Sequence, residues 1–346
     1  IEAWCNRGNA LAKLEKQDQA ISSYDHALEA QPDSYEVWSN RGMVLADLLR
    51  YDEAILSQDR AVEINPGADG AWNNRGFVLA TVGRYDEAIS SFDRALGINP
   101  AAHEAWTNRG IALGRLRRYD EAISSYDRAL EIKPEEAAWY HRGDALAKVG
   151  RYSDAISSYD RALEINPDKH EAWNNRAVAL GRLGRYEEAM SSCDFALRIK
   201  HDDVSTLHNR VVASLERFAE LAYQDEDSAR HYLNEALRFA AQMNTKDCAR
   251  VLSIIAIFTA RIGRLAVARE IIGGMNLGEI LFPLARAIDY TLTGDEALIE
   301  KLSPEVRGIV DEIVSKLRET AAQGQRANDT RKRKSRARRK TARRLN

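Results

Sequence analysis

The chain has 346 residues, 45% of them apolar and 29% charged. This balance excludes a generally disordered chain and leaves room for several domains or one long repeat array. The formal charge of −2 conceals an asymmetry: from 326 to 344 eleven Lys and Arg face one acid, Asp329, a net of +10 against −12 elsewhere.

The chain opens at Ile1, already inside a helical pattern. It reads as a fragment of a longer, bacterial- or archaeal-type repeat protein, with any targeting segment expected upstream. Trp then recurs at 4, 38, 72, 106, 139 and 173, and Pro at 32, 66, 100, 134 and 167. Within each unit W-x-N-R-G-x-x-L leads to a short loop, often G-R-Y, and then to E-A-I-S-S-Y-D-R-A-L-E-I-N-P. At about 100° per residue, positions four, eight and eleven share one face of a first helix; in the third unit these are Trp72, Gly76 and Leu79. Gly76 removes a side chain so that a second helix can approach, and Ala88 and Ala95 do the same from the other side. Gly83 with Arg84 breaks the chain between helices, and Pro100 stops the second one. A lone helical hairpin cannot bury its apolar stripe, whereas stacked neighbours form one continuous core.

Trp72, Gly76, Ala88, Phe92, Ala95 and Pro100 stand at the signature positions of the tetratricopeptide repeat, which the chain resembles over six units covering 1–201. A weaker seventh unit opens near Val204, with Leu207, Asn209 and Arg210. The resemblance implies an all-α fold, a right-handed superhelical α-solenoid of helix-turn-helix repeats. Residues 202–325 read as a degenerate helical extension that covers the end of the array, with helices expected over 229–243, 248–262 and 265–274. Ser303-Pro304-Glu305 has the chemistry of a helix start, followed by the stripe Val306, Ile309, Val310, Ile313, Val314 and Leu317. The longest apolar run, 251–260, is too short to span a bilayer.

No phosphate loop, H-E-x-x-H or G-x-S-x-G sequence occurs, and the acidic residues of the second helices repeat in every unit, as a catalytic dyad would have no reason to do. His201 and His208, the nearest histidine pair, have no third ligand in register. Cys5, Cys193 and Cys248 share no metal-like spacing, which suits a reducing, cytoplasmic setting without disulfides. No catalytic residue, cofactor or metal is expected.

Two polar residues recur without a packing reason. Position six is Asn6, Asn40, Asn74, Asn108, His141, Asn175 and Asn209. It lies opposite the Trp-Gly-Leu face, with positions two, nine and thirteen (Gly70, Phe77 and Thr81 in the third unit). By the family resemblance that side lines a concave groove. A carboxamide carries both donors and an acceptor, so the row is expected to grip the backbone of an extended peptide. The arrangement resembles the asparagine ladder of the intracellular O-linked N-acetylglucosamine transferases, and is similar in logic to the armadillo-repeat import receptors. The alternative is a structural role at the helix starts. The two-carboxylate clamp for chaperone tails does not fit: its positions hold Cys5, Asn9, Asn40, Gly70 and Asn74, without the three cations. The next window, Ser39, Met43, Asn74, Glu104 and Asn108, fits less well still.

Position seven is Arg7, Arg41, Arg75, Arg109, Arg142, Arg176 and Arg210, on the flank of an apolar stripe. A partly buried guanidinium needs a counter-charge. The second helices repeat Asp25, Asp59, Asp93, Asp127, Asp160 and Asp194. One Arg–Asp pair per repeat is therefore expected, within a unit or across to its neighbour. The alternative is a cation row for phosphate.

The basic tail, 326–346, includes Arg331, Lys332, Arg333, Lys334, Arg336, Arg338, Arg339 and Lys340, with no interleaved aromatic. It reads either as a simple cationic tail or as a salt-dependent contact for nucleic acid or an anionic membrane. The leading functional reading is a non-enzymatic scaffold for an extended protein segment. The alternatives are the regulatory arm of a larger enzyme or signalling ATPase, and an adaptor acting through the tail.

Overall fold

The computed structural model describes residues 1–221 and 225–240, with isolated positions up to 315. The helices expected over 248–262 and 265–274 and the tail 326–346 lie outside the described residues, as does most of the helix expected after Ser303. The chain divides into two compact units, Ile1–Pro167 and Asp168–Asn346. All the regular elements among the described residues are helices.

The first unit is built of helical hairpins: α1 (Glu2–Lys13) with α2 (Gln17–Ala30), α3 (Tyr35–Asp47) with α4 (Tyr51–Ile64), α5 (Asp69–Thr81) with α6 (Tyr85–Ile98), α7 (His103–Arg115) with α8 (Tyr119–Ile132), and α9 (Glu136–Lys148) with α10 (Tyr152–Ile165). Each first helix packs on its own second helix and on the second helix of the preceding repeat. Successive first helices also touch, whereas successive second helices make no comparable contact. The first helices therefore lie on the inner side of the bend.

The hairpin turns follow from local chemistry. After each first helix the chain enters the left-handed region, at Gly83 with φ 81° and at Gly150 with φ 82°. The next N–H then closes a Schellman-type bond back into the helix, Arg84 to the Leu79 carbonyl at 2.9 Å and Arg151 to that of Leu146 at 2.9 Å. Glu15, Leu49 and Arg117 hold the same conformation, with φ of 56°, 61° and 61°, at the steric cost that a side chain brings there. The second helices start with a fork: Arg84 donates from Nε and Nη2 to both carboxylate oxygens of Glu87 at 2.6 Å. Arg50–Glu53 and Arg118–Glu121 repeat it. These bonds hold the three carboxyls below their ordinary pKa.

The core of each hairpin is an aromatic ring seated on a glycine. A Cβ on Gly76 would lie 2.6 Å from Phe92, one on Gly110 2.5 Å from Tyr126, and one on Gly143 2.6 Å from Tyr159. Tyr24 covers Gly8 in the same way, and in the second repeat the amide of Gln58 takes the ring's place over Gly42. Ala88 and Ala95 are fully buried beside the ring. Burying each aromatic contributes on the order of 2–3 kcal/mol.

The second unit continues with α11 (His170–Arg182), α12 (Tyr186–Ile199), α13 (Val204–Leu221) and α14 (Glu226–Ala240). Here Ala177 stands where the five repeats of the first unit have glycine, and Cys193 where they have an aromatic or Gln58. Both are buried, so the added methyl is matched by a smaller partner. Asp203 caps α13: its Oδ2 accepts the Thr206 N–H at 2.8 Å and the Thr206 hydroxyl at 2.6 Å. Burial alone would raise the Asp203 pKa, but these two bonds, with Lys200 and His170 nearby, hold it below the usual carboxylate value.

Replacing Gly76 with Ala should destabilise the chain by about 1–3 kcal/mol through overpacking against Phe92, in spite of the roughly 1 kcal/mol that Ala gains in helix propensity; urea unfolding of the two proteins measures the difference. Asp203→Ala should cost about 1 kcal/mol at neutral pH. The folded-state pKa of Asp203 is depressed, so its stabilisation is present above the unfolded value and lost as pH falls through the folded one. The stability gap between wild type and variant should therefore narrow as pH is lowered.

Candidate functional site

The position-seven arginines bridge repeats. Arg75 donates from Nε to Oδ1 of Asp59, on the preceding repeat's second helix, at 2.6 Å. From Nη1 it donates to Oγ of Ser91, on its own second helix, at 2.7 Å. Its guanidinium also lies over the Trp72 ring, 5.8 Å from the centroid. Arg41 joins Asp25 and Ser57, Arg109 joins Asp93 and Ser125, and Arg142 joins Asp127 and Ser158 in the same way. Arg7 reaches Ser23, and Arg176 reaches Ser192. Asp160 holds the corresponding place on α10. In the second unit Arg210 is buried and pairs with Asp194 at 2.8 Å and Glu235 at 3.0 Å. The serine partners were missed in the sequence, although the second Ser of E-A-I-S-S recurs in nearly every unit. With these partners in place, the arginines are occupied in holding repeats together.

The position-six side chains lie half-buried on the inner side, except Asn6, which is exposed. Four of them make one bond backwards. Asn40 donates from Nδ2 to Asn9 Oδ1 at 3.2 Å, Asn74 to Ser39 Oγ at 3.0 Å, and Asn108 to Asn73 Oδ1 at 3.2 Å. In the second unit Asn209 donates to Asn174 Oδ1 at 2.8 Å. The direction at Asn74 is fixed by chemistry: Ser39 gives its own proton to Gln58 Oε1 at 3.1 Å, so its oxygen must accept. Among the described residues no protein donor reaches Oδ1 of Asn40, Asn74 or Asn108. Each of these amides is thus pinned through one N–H, with its oxygen and second N–H left over. Beside them run Met43, Phe77 and Ile111 at position nine, of which Phe77 is 43% exposed.

The fifth repeat departs from this pattern. Its linker is one residue shorter, Pro134 to Trp139. The indole N–H that reaches the Pro32, Pro66 and Pro100 carbonyls from Trp38, Trp72 and Trp106 finds no acceptor from Trp139. His141 replaces the asparagine, and its ring lies 6.2 Å from Tyr126 at 22° and 5.1 Å from Tyr140 at 64°. Asn175 occupies position six of α11. Among the described residues no group of three His, Cys, Asp or Glu could hold a metal. No helix among them is long and apolar enough to cross a membrane.

A family profile described as Tetratricopeptide repeat matches residues 5–69, 75–137 and 140–203, together more than half of the chain. No curated protein matches the sequence. Among solved structures, a tetratricopeptide repeat protein from Parabacteroides merdae is 17% identical over 73% of this chain and 98% of its own, with a TM-score of 0.51. The C-terminal part of a repeat protein from Cytophaga hutchinsonii is 16% identical over 68% of this chain and 94% of its own, at 0.54. YrrB, described as a repeat protein with an unusual peptide-binding site, is 24% identical over 54% of this chain and 96% of its own, at 0.47. At these identities the likeness is one of fold.

Removing Arg75 strands Asp59 and Ser91 together. Arg75→Ala should destabilise the chain by about 2–3 kcal/mol, and Arg75→Lys should recover only part of this, because one ammonium cannot fork to both partners. In a double-mutant cycle with Asp59→Ala, a coupling energy of at least about 0.5 kcal/mol is expected from thermal or urea unfolding.

Proposed function

The chain belongs to the tetratricopeptide repeat family, and on that premise we propose that it is a non-catalytic scaffold holding an extended protein segment along its inner face. The observation that carries this reading is the state of the position-six amides. One N–H of Asn40, Asn74 and Asn108 is committed to the preceding repeat. That bond fixes the rotamer in advance and so lowers the entropy cost of binding. The remaining oxygen and N–H match the N–H and C=O of a peptide backbone without reading its sequence. Met43, Phe77 and Ile111 lie alongside, on the same side of their helices, and supply apolar contacts for alternate side chains of an extended ligand. The asparagines act as a grip and the position-nine residues as the selective surface.

The experiment is selection of a phage-displayed random dodecapeptide library on the full chain and on a variant carrying Asn40→Ala, Asn74→Ala and Asn108→Ala. Each substitution also removes one inter-repeat bond, about 1 kcal/mol, so the variant's fold is checked by circular dichroism at the selection temperature. The wild-type binders should lose at least about tenfold in affinity for the folded variant, since each lost pair of backbone bonds contributes on the order of 1 kcal/mol. Undiminished binding to the folded variant would refute the ladder.

A further inference from the structure

Three of the rings seated on glycines in the first unit are tyrosines: Tyr24, Tyr126 and Tyr159. Tyr24 donates its hydroxyl proton to Asn9 Oδ1 at 2.7 Å, and Tyr159 to Asp144 Oδ1 at 2.8 Å. Both acceptors stand at position nine of the same hairpin's first helix. In the fourth repeat that position is Ile111, which offers no acceptor. Among the described residues nothing accepts the proton of Tyr126. The residue is only 3% exposed, and a hydroxyl so deeply placed ordinarily has a hydrogen-bond partner. Nor does packing call for the hydroxyl: in the third repeat Phe92 covers Gly76 in the same way and is fully buried without one.

The repeat geometry brings this hydroxyl to the asparagine row. Tyr126 sits on its glycine as Tyr24 and Tyr159 do on theirs, 2.5 Å from an added Cβ against 2.5 and 2.6 Å. The hydroxyls of those two rings arrive beside position nine, on the inner side. The Tyr126 ring also lies 6.2 Å from that of His141 at 22°, and His141 follows Asn108 at position six. The hydroxyl therefore comes up between two rungs, and its oxygen is not fully covered. Two charges bear on what it can bond. Burial first, and then the Asp144 charge, push the Tyr126 phenol well above its ordinary pKa, with Arg115 opposing as the lesser influence. The group thus stays a neutral donor. The field of Asp144 disfavours a second carboxylate beside it, so an uncharged carbonyl oxygen is the acceptor that suits the place.

We propose that the Tyr126 hydroxyl is a ligand contact, donating to one backbone carbonyl oxygen of the peptide held along the inner face, between the rungs of Asn108 and His141. The inference rests on the scaffold reading above and deepens it. The asparagines grip the backbone at successive repeats, and Tyr126 adds a single rigid donor that marks where one carbonyl of the ligand lies. Its ring is already fixed by Gly110 and His141, so little freedom is lost when the bond forms.

The test is Tyr126→Phe, in the full chain. Its urea midpoint should equal that of the wild type, whereas Tyr159→Phe, which removes a bond within the fold, should lower it. Dodecapeptides selected on the wild type should bind Tyr126→Phe about five- to tenfold more weakly, the loss of one hydrogen bond. In one such binder each backbone amide is then replaced in turn by an ester, whose carbonyl is the weaker acceptor. At one position the resulting loss of affinity should shrink on Tyr126→Phe, and elsewhere it should match the wild type. Undiminished affinity for Tyr126→Phe, or a midpoint lowered as far as that of Tyr159→Phe, would overturn the contact and leave the scaffold standing. Ester losses that are the same on both proteins at every position would overturn the carbonyl as its acceptor. Recovery of no binders at all would overturn both contact and scaffold.

Discussion

Within the first unit, each repeat from the second to the fifth is fastened to the one before it through a single guanidinium. In the third repeat Arg75 touches the preceding second helix through Asp59, its own second helix through Ser91, and the face of its own Trp72. Three surfaces meet at one planar, permanently charged group. Its side chain is only 20% exposed, so the charge is stable there because each face of the fork is answered. Apolar packing alone would let one hairpin slide or rotate on the next with modest loss. A directional bond to a fixed aspartate sets the register of the stack, and all that lies along the inner face inherits that register.

The inner face shows the consequence. Because the hairpins are clocked identically, the position-six amides fall in a row, and each can reach position five or nine of the preceding first helix. The same bond that ties first helix to first helix also orients the carboxamide. A structural bond and the proposed recognition role are therefore compatible at these asparagines. One N–H serves the fold, and the oxygen and the second N–H are available to a ligand. On the proposed function an alanine at Asn40, Asn74 or Asn108 would touch both roles, so folding and binding have to be measured together.

Repeats that depart from the common pattern show which parts are coupled. Where glycine becomes Ala177, the ring that would strike its methyl becomes Cys193. In the first and fifth repeats the hydroxyl of the ring over the glycine is received by a polar position-nine residue, Asn9 or Asp144; in the third the ring is Phe92 and position nine is Phe77, and in the fourth Tyr126 stands with the apolar Ile111 at position nine. The shortened linker before Trp139 costs that indole its carbonyl partner. The fifth repeat is thus the place where the array gives up regularity in its linker, its rung and its position-nine residue at once.

The sequence by itself determined the repeat, its hairpin and its core, because these depend on spacing within one helical turn or across one short loop. The recurring Trp, Gly, Ala and Pro state that geometry locally, and even the asparagine and arginine rows could be listed by position. It could not decide where the polar side chains send their hydrogen bonds. That Arg75 pairs backwards with Asp59 while holding Ser91 forwards depends on how one hairpin is rotated against the next. That Asn74 is anchored on Ser39 depends on the approach of first helices thirty-five residues apart in sequence. Asp59 and Ser91 recur at the repeat spacing, but that spacing does not say which hairpin's copy Arg75 meets. Only the tertiary stacking brings them together.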